Sequence, residues 1–201
     1  MITIVDYGMG NLGSVLNMFR KVGAAAEITS DLQKIKDARK ILLPGVGAFD
    51  AAMKRINESG LREVLTAKAT IDKVPVLGIC LGMQLMTNSS EEGALPGLGW
   101  IDAVTKRFAA SPGLKVPHMG WNILKPVHAH PLLNDLPEEP RFYFVHSYYV
   151  TTSRPAETIA TASYGSDFAA VIARDHMMGA QFHPERSHRF GARLLENFAH
   201  I

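Results

Sequence analysis

Residues 74–84 read Val-Pro-Val-Leu-Gly-Ile-Cys-Leu-Gly-Met-Gln, and this stretch decides the fold. The apolar, largely β-branched run that ends at Ile79 predicts a strand buried on both faces. Apolar residues return at helical spacing directly after it, so the strand turns straight into a helix. Cys80 lies at the junction, between Gly78 and Gly82. This G-x-C-x-G pattern is the cysteine counterpart of the G-x-S-x-G nucleophile elbow.

An elbow of this kind predicts a reactive cysteine. Strained backbone angles lift the Cys80 side chain above the sheet edge and require small neighbours. The helix N-terminus that follows favours a thiolate, and the backbone N–H of Leu81 is expected to point at a developing oxyanion. The alternative is a buried structural thiol, which is the usual state of a free cysteine. The flanking glycines favour the nucleophile.

The alternation of strands and helices up to about residue 90 predicts a mostly parallel sheet. The predicted strands are 2–5, 26–29, 40–43 and 74–79, and the predicted helices are 12–22, 48–58, 61–69 and the segment after Cys80. Such βαβ units have right-handed crossovers, with helices covering the sheet. Ligands bind beyond the carboxyl ends of these strands, where glycine-rich turns lie at 8–13, 44–47 and 78–82.

The second half of the chain changes to antiparallel strands. The predicted strands are 101–108, 142–150, 158–164, 168–174 and 177–182, and a last helix begins at Arg186 or Ser187. Residues 116–122 hold a Pro, Met, Gly and Trp cluster that favours a shaped loop over a strand. The predicted fold class is α/β with three layers, in which antiparallel strands of the C-terminal half extend a central, mostly parallel sheet. We expect residues 1–201 to form one domain.

A general base for Cys80 must come later in the chain, because all 8 histidines lie at or after His118. The run 181–185, Gln-Phe-His-Pro-Glu, supplies one. His183 and Glu185 are two residues apart, so in extended backbone their side chains point to the same side. The carboxylate can then hold one ring nitrogen while the other faces Cys80. The alternative is a histidine that merely packs at a strand end.

Composition argues against several other classes of function. The chain has 21 Lys+Arg against 19 Asp+Glu, a net charge of +2, which argues against nucleic acid as the main partner. Its 1 cysteine excludes an intramolecular disulfide framework and a multi-cysteine zinc site. No apolar run is long enough to span a membrane, and the N-terminus lacks the pattern of a signal peptide. We expect a soluble domain of the cytoplasm, with no metal and no cofactor.

Weaker signals come from four other segments. The turn 44–47, Pro-Gly-Val-Gly, is either an ordinary connection or a source of backbone N–H groups for the oxyanion. The glycine pair in 8–11 lacks a phosphate-binding pattern and indicates a tight turn beside the site. Trp121 is either folded onto its own domain or an exposed anchor for a partner. Residues 142–148 are mostly core, and those that are candidates for lining a pocket are His146, Ser147 and Tyr148.

Together these motifs resemble the class I (triad) glutamine amidotransferases. The resemblance rests on residues 78–84 and 181–185 and extends over the whole chain. The runs that narrow it, to the glutaminase subunits of histidine biosynthesis, are 6–11, 44–47, 116–122 and 142–148. Most of the family has a Pro-Gly-Gly type of oxyanion turn, whereas Val46 stands between the glycines here, as it does in this subfamily. The resemblance implies the class I amidotransferase fold, which is flavodoxin-like.

The resemblance also implies a mechanism and a set of site residues. Cys80 attacks the side-chain amide of glutamine to form a glutamyl thioester, His183 relays the proton, and Glu185 orients the imidazole. The residues around the glutamine are Gly45, Gly47, Leu81, Gln84, Glu92, His146, Ser147 and Tyr148. Ammonia passes to a separate cyclase subunit, a (β/α)8 barrel, in a heterodimer. The residues expected to face that partner are Met119, Trp121, Tyr143 and Arg186, the last of which stands where related subunits often have Lys.

Two alternatives stay open at this point. One is another class I subunit, such as that of anthranilate or aminodeoxychorismate synthesis, against which the Pro-His-Met-Gly-Trp-Asn run at 117–122 argues. The other is a flavodoxin-like redox-sensing or binding module in which Cys80 is oxidised. A sensor needs no base pair such as His183 and Glu185, so the pair favours the enzyme.

Overall fold

The computed structural model describes residues 1–109 and 113–201 and shows strands and helices alternating through the first half. The strands are β1 (Ile2–Val5), β2 (Ala26–Thr29), β3 (Ile41–Leu43), β4 (Val76–Ile79), β5 (Ser89–Ser90), β6 (Ala103–Arg107), β7 (His118–Ile123), β8 (Lys125–Pro126), β9 (Arg141–His146), β10 (Tyr148–Thr152), β11 (Thr158–Tyr164), β12 (Ser166–Arg174) and β13 (Met177–Ala180). The helices are α1 (Leu12–Lys21), α2 (Leu32–Lys36), α3 (Phe49–Glu58), α4 (Leu61–Thr66), α5 (Leu81–Leu85) and α6 (His188–His200).

The strands form one large sheet and one small one. In the large sheet β2, β1, β3, β4 and β13 are parallel neighbours in that order. The sheet then continues through antiparallel β12, β10 and β6, with β11 and β8 branching from β12 and the short β5 at the far edge. β7 and β9 make a separate antiparallel pair. The predicted fold class is confirmed.

Helices cover both faces of the parallel strands, as continuous apolar strands require. Neighbouring residues of β1 point to opposite faces because side chains alternate along a strand. Ile4 packs in the cluster that contains Phe19 of α1 and Phe198 of α6. Val5 packs in the cluster that contains Phe49 of α3. Cys80 and the residues that follow the other parallel strands therefore emerge at one edge of a sheet that is buried on both sides.

The run 142–150 was predicted as one strand, and that prediction is wrong. The chain forms two strands, β9 and β10, with Ser147 between them. β9 pairs with β7 in the small sheet, whereas β10 pairs with β6 and β12 in the large one. Aromatic and β-branched residues lie on both sides of His146 and Ser147, so the sequence pattern extends across the change of sheet and predicts a single strand.

The loop predicted at 116–122 is also wrong, because most of this run belongs to β7. His118 is buried, while Met119 and Trp121 point outward, which is the alternation of a half-buried strand. Gly120 has φ of +133°, a conformation that side chains rarely adopt, and it lets the strand continue through this run. The strand is therefore formed by pairing with β9 and not by intrinsic preference.

The other predicted elements agree with the structure to within about two residues, apart from the predicted helix 61–69. The helix predicted at 61–69 ends at Thr66 and continues as a π-helical turn, Ala67–Ile71. α2 was not predicted from the sequence. Asp31 caps its first turn, because the carboxylate accepts from the backbone N–H groups of Gln33 and Lys34 at 2.8 and 3.0 Å. Among residues 1–109 and 113–201, no helix is long and apolar enough to cross a membrane.

Candidate active site

Cys80 lies on a strained turn between β4 and α5. Its backbone angles are φ 52° and ψ −109°, a sparsely populated region for a residue with a side chain. The backbone N–H of Cys80 donates to the carbonyl of Ala180 at 2.7 Å, which ties the turn to β13. A Cβ at Gly82 would lie 1.9 Å from the carbonyl oxygen of Leu43, so only glycine allows this close approach to β3. The predicted strain and the need for small neighbours are both present.

His183 and Glu185 form a buried pair. Nδ1 of the ring lies 2.9 Å from Oε1 of the carboxylate, and both side chains are almost inaccessible. His183 itself is extended, but the extended backbone predicted to continue to Glu185 is wrong, because Pro184–Arg186 form a 3-10 turn that brings the carboxylate to the ring. The His183 backbone is held on both sides: its N–H donates to Tyr143 O at 2.9 Å, and its carbonyl accepts from Ser187 Oγ at 2.6 Å.

The charge state of His183 is set by two competing effects. Burial lowers the pKa of the ring, but interactions with Cys80 and with the Glu185 carboxylate outweigh burial and raise the pKa well above its ordinary value. Nε2 is buried and forms no hydrogen bond of ordinary geometry within the described residues. Nδ1 is engaged by the carboxylate, so Nε2 is the ring nitrogen left to exchange a proton with a neighbour.

A cavity of about 320 Å³ opens beside Cys80 and His183. It is lined by Val46, Gly47, Cys80, Leu81, Gln84, Glu92, Pro117, Val145, His146, Ser147, Tyr148 and His183. Every residue expected around the glutamine lines it except Gly45, and Glu185 lies behind His183. Val46, Pro117 and Val145 also line the cavity and were not among the residues expected around the glutamine, because their apolar side chains offer it no polar contact.

The turn at 44–47 closes the position expected for an oxyanion. The backbone N–H of Leu81, the predicted donor, donates instead to the carbonyl of Gly45 at 3.3 Å. The buried hydroxyl of Tyr7 donates to the carbonyl of Pro44 and so holds the start of the same turn. A carbonyl therefore occupies the place where a second N–H was expected. The Leu81 N–H becomes free only if the turn rearranges.

Two polar side chains of the cavity are fixed by the protein itself. Nε2 of Gln84 donates to the carbonyl of Tyr148 and to Oε1 of Gln181, both at 3.1 Å. Both amide protons of Gln84 are thereby used, and its oxygen is the group left to meet a ligand. Oε2 of Glu92 accepts from the backbone N–H of Phe49 at 3.0 Å, where the start of α3 favours a negative charge.

A second histidine pair borders the cavity through His146 and continues to His118, which was not among the predicted site residues. Nδ1 of His118 lies 3.0 Å from Nε2 of His146, whose Nδ1 lies 2.7 Å from the carbonyl of Tyr148. Burial lowers the pKa of His118 to about 4 and that of His146 to about 3, so both rings are neutral at pH 7. His118 was visible in the run 116–122, but its pairing depends on the β7–β9 register, which places it opposite His146.

The residues expected to face a partner lie together on the outer side of the small sheet. Trp121 is directly opposite Tyr143 in the strand pairing, with ring centroids 6.1 Å apart. The guanidinium of Arg186 lies 4.6 Å from the centre of the Tyr143 ring, and His188 stacks on Trp121. Met119 is 62% exposed and Trp121 48%, so an apolar surface is open to solvent beside the cavity.

Within the described ranges, no group of three or more His, Cys, Asp or Glu side chains is placed to hold a metal ion. The groups that carry chemistry in the cavity are a thiol, an imidazole backed by a carboxylate, and fixed amides. Such a set suits nucleophilic attack on a carbonyl carbon, followed by proton transfer to a leaving group.

The family described as "Glutamine amidotransferase class-I" has a sequence model that matches residues 3–201. The fold agrees with solved structures: "Crystal structure of glutamine amidotransferase" superposes with a TM-score of 0.73 at 17% identity, covering 100% of both chains. A glutamine amidotransferase from Thermotoga maritima gives a TM-score of 0.66 at 17% identity, covering 98% of this chain and 81% of its own. The chain belongs to the class-I glutamine amidotransferases.

Within that family the chain is similar to proteins named for one synthase. It is 50% identical to "Imidazole glycerol phosphate synthase subunit HisH 2" of Pseudomonas aeruginosa, over 100% of both chains. It is 50% identical to the protein of the same name from Methanococcus maripaludis, over 98% of each chain. Subunit HisH of Bdellovibrio bacteriovorus is 48% identical, again over 100% of both chains.

Proposed function

We propose that the chain is the glutaminase subunit of an imidazole glycerol phosphate synthase. It hydrolyses glutamine to glutamate and ammonia and delivers the ammonia to a separate cyclase subunit. The observation that carries this proposal is one cavity bordered by the Cys80 elbow, by His183 with its carboxylate, and by the fixed amide of Gln84. The full-length identity of about one half to HisH subunits supports the choice of synthase. We infer one domain over residues 1–201, located in the cytoplasm.

The proposed reaction has two halves. The Cys80 thiolate attacks the amide carbon of glutamine, a C–S bond forms, and His183 gives its Nε2 proton to the departing nitrogen, which leaves as ammonia. Water then attacks the thioester: His183 takes a proton from the water, a C–O bond forms, and the C–S bond breaks to release glutamate. The raised pKa of His183 supports an imidazolium that is ready to protonate the leaving group. Glu185 holds the ring through Nδ1 in both halves.

Substrate binding is proposed for the polar rim of the same cavity. The Glu92 carboxylate suits the α-ammonium group of glutamine, and the Gln84 oxygen suits an N–H donor of the substrate. Backbone groups at Gly47, Ser147 and Tyr148 complete the rim. Leu81 and Gly45 are proposed to supply oxyanion donors once the 44–47 turn has moved.

The partner is proposed to be a (β/α)8-barrel cyclase subunit that docks on the small sheet, making a heterodimer. It uses the ammonia to form imidazole glycerol phosphate and aminoimidazole carboxamide ribonucleotide. The exposed cluster of Met119, Trp121, Tyr143 and Arg186 supports this placement, because interface energy concentrates in aromatic and Arg anchors. Tyr143 of β9 also accepts a hydrogen bond from the His183 backbone, so a partner that docks on β9 contacts a strand that positions His183.

The isolated chain is expected to release glutamate very slowly. The Leu81 N–H is bonded to the Gly45 carbonyl, and loss of one oxyanion donor costs ~10²–10³ in rate. Glutamate release should therefore rise at least ~10²-fold when the cyclase subunit and then its ribonucleotide ligand are added. The measurement is coupled glutamate detection at each addition. High turnover by the chain alone would contradict the closed oxyanion site, and no turnover under any condition would reject the glutaminase.

Trp121→Ala is expected to weaken the complex and leave the chain folded. An interface anchor of this type costs at least ~2 kcal/mol on truncation, which is roughly thirty-fold in affinity. Calorimetric titration of the cyclase subunit measures the loss, and Ile71→Ala, which removes a 76% exposed side chain elsewhere, is the matched control. The partner surface is refuted if Trp121→Ala unfolds the isolated chain while glutamine hydrolysis and the synthase reaction stay coupled in the fraction that remains folded.

A further inference from the structure

We propose that Gln181 is a further catalytic residue, whose side-chain N–H hydrogen-bonds to Cys80 Sγ and stabilises the thiolate. Nε2 of Gln181 lies 3.8 Å from Sγ, within hydrogen-bonding range for sulfur. Gln181 is completely buried and Cys80 is 7% exposed, so water does not replace this donor easily. The proposal rests on the proposed function, because it takes Cys80 as the nucleophile.

The fold places the two side chains together through strand register. β4 and β13 are parallel neighbours, and Ile79 is the register partner of Ala180. Cys80 follows Ile79 and Gln181 follows Ala180, so the two residues emerge side by side at the carboxyl edge of the sheet. The Gln181 backbone is anchored there, because its N–H donates to the carbonyl of Ala170 at 2.9 Å.

The orientation of the Gln181 amide follows from a chain of hydrogen bonds that starts at a backbone carbonyl. The Tyr148 carbonyl can only accept, so the Gln84 group 3.1 Å away from it is the NH2 group. That NH2 group also faces Gln181 at 3.1 Å, so the facing Gln181 atom is the oxygen. The NH2 group of Gln181 is therefore the end that points at Cys80. Reversing either amide would bring two donors or two acceptors together.

A hydrogen-bond donor beside Sγ stabilises negative charge on the sulfur. Hydrogen bonds to an ionised partner are stronger than those to a neutral one, so the Gln181 N–H favours the thiolate over the thiol. The Cys80 proton moves to His183, and the Gln181 proton stays on its nitrogen throughout. When the thioester forms, the sulfur loses its negative charge and this hydrogen bond weakens. The same amide holds Gln84, so one residue links the nucleophile to the substrate pocket.

The test is the pH dependence of Cys80 alkylation by iodoacetamide, read by mass spectrometry on the full chain. Cys80 is the 1 cysteine of the sequence, so the label reports on one sulfur. Gln181→Met keeps the length of the side chain and removes its N–H, and Gln181→Leu serves if the first variant does not fold. Gln33→Met, which changes an exposed glutamine on α2, is the matched control.

We expect Gln181→Met to label roughly ten- to hundred-fold more slowly at pH 6.5, with half-maximal labelling reached at a higher pH. The kcat of the partner-activated chain should fall by a similar factor, because fewer molecules hold a thiolate. The Gln33→Met profile should match wild type. A merely structural role would lower the melting temperature without moving the labelling profile.

Two results separate the inference from the proposed function. An unchanged labelling profile in a folded Gln181→Met chain whose wild type hydrolyses glutamine would overturn the role of Gln181 and leave the glutaminase intact. Wild-type chain that never hydrolyses glutamine with its partner would reject the function, even if labelling shifts in the variant.

Discussion

Cys80→Ser is expected to reduce glutamine hydrolysis to less than ~10⁻³ of the wild-type rate, measured with the cyclase subunit and its ligand present. A serine hydroxyl is nearly the size of the thiol but remains protonated in this site, so His183 faces an alcohol instead of a thiolate. The backbone at φ 52° is retained because the substitution leaves the Cβ in place. The fold should survive, and the melting temperature checks this.

A glutamine-like electrophile gives the complementary measurement. It should modify the wild-type chain at Cys80 and leave Cys80→Ser unmodified, since the chain has 1 cysteine. The matched control is an added cysteine, Ser59→Cys, placed in the wild-type chain and in Cys80→Ser. Ser59 follows α3 and is exposed. Labelling of the control cysteine at the wild-type Cys80 rate would mean that the site confers no reactivity. Near wild-type turnover by Cys80→Ser would reject the nucleophile.

The elbow itself was predictable from residues 74–84 because its physics is local. A buried strand, a cysteine and a helix follow one another without a gap, and the glycines are required by close approach: a Cβ at Gly78 would lie 2.7 Å from the backbone of Gly82. Parallel strands at the sheet centre were predictable for the same reason, since each is a short apolar run between turns. The structure confirms the architecture that these runs predicted.

Features that depend on pairing between distant segments were not predictable. The break at Ser147 and the strand β7 exist because β9 pairs with β7 and β10 pairs with β6. The neighbour relation of Gln181 and Cys80 likewise follows from the register of β13 on β4. A single sequence contains no record of register, so composition favoured a loop or a single long strand in these places.

The direction of the Gly45 peptide is another feature that could not be predicted from the sequence. Its sequence, Pro-Gly-Val-Gly, allows either the N–H or the carbonyl to face the elbow. The choice is made by contacts from elsewhere in the chain: the Tyr7 hydroxyl holds the Pro44 carbonyl, and the Leu81 N–H holds the Gly45 carbonyl. These contacts join the segments that follow β1 and β3 to the start of α5, so they form only once the sheet has assembled.

His183→Ala is expected to lower kcat more than Glu185→Ala does. Removal of a general acid or base typically costs 10²–10⁴-fold. The carboxylate acts through the ring, and the His183 backbone stays fixed by Tyr143 and Ser187 when the carboxylate is gone, so Nε2 still reaches Cys80 part of the time. His128→Ala, which removes an exposed histidine, should leave kcat unchanged and serves as the control.

The pH dependence of kcat distinguishes two roles of Glu185: orienting the His183 ring and raising its pKa. Glu185 is one of the groups that raise the pKa of His183, so Glu185→Gln should lower that pKa. The imidazolium that protonates the departing amide nitrogen would then be lost at a lower pH, and the alkaline limb of the kcat profile should move to lower pH. Glu185→Gln keeps an oxygen for Nδ1, so the ring stays oriented and only the charge is removed. Equal losses in His183→Ala and Glu185→Ala would mean that the carboxylate does more than orient the ring, and full activity in either would reject the pair.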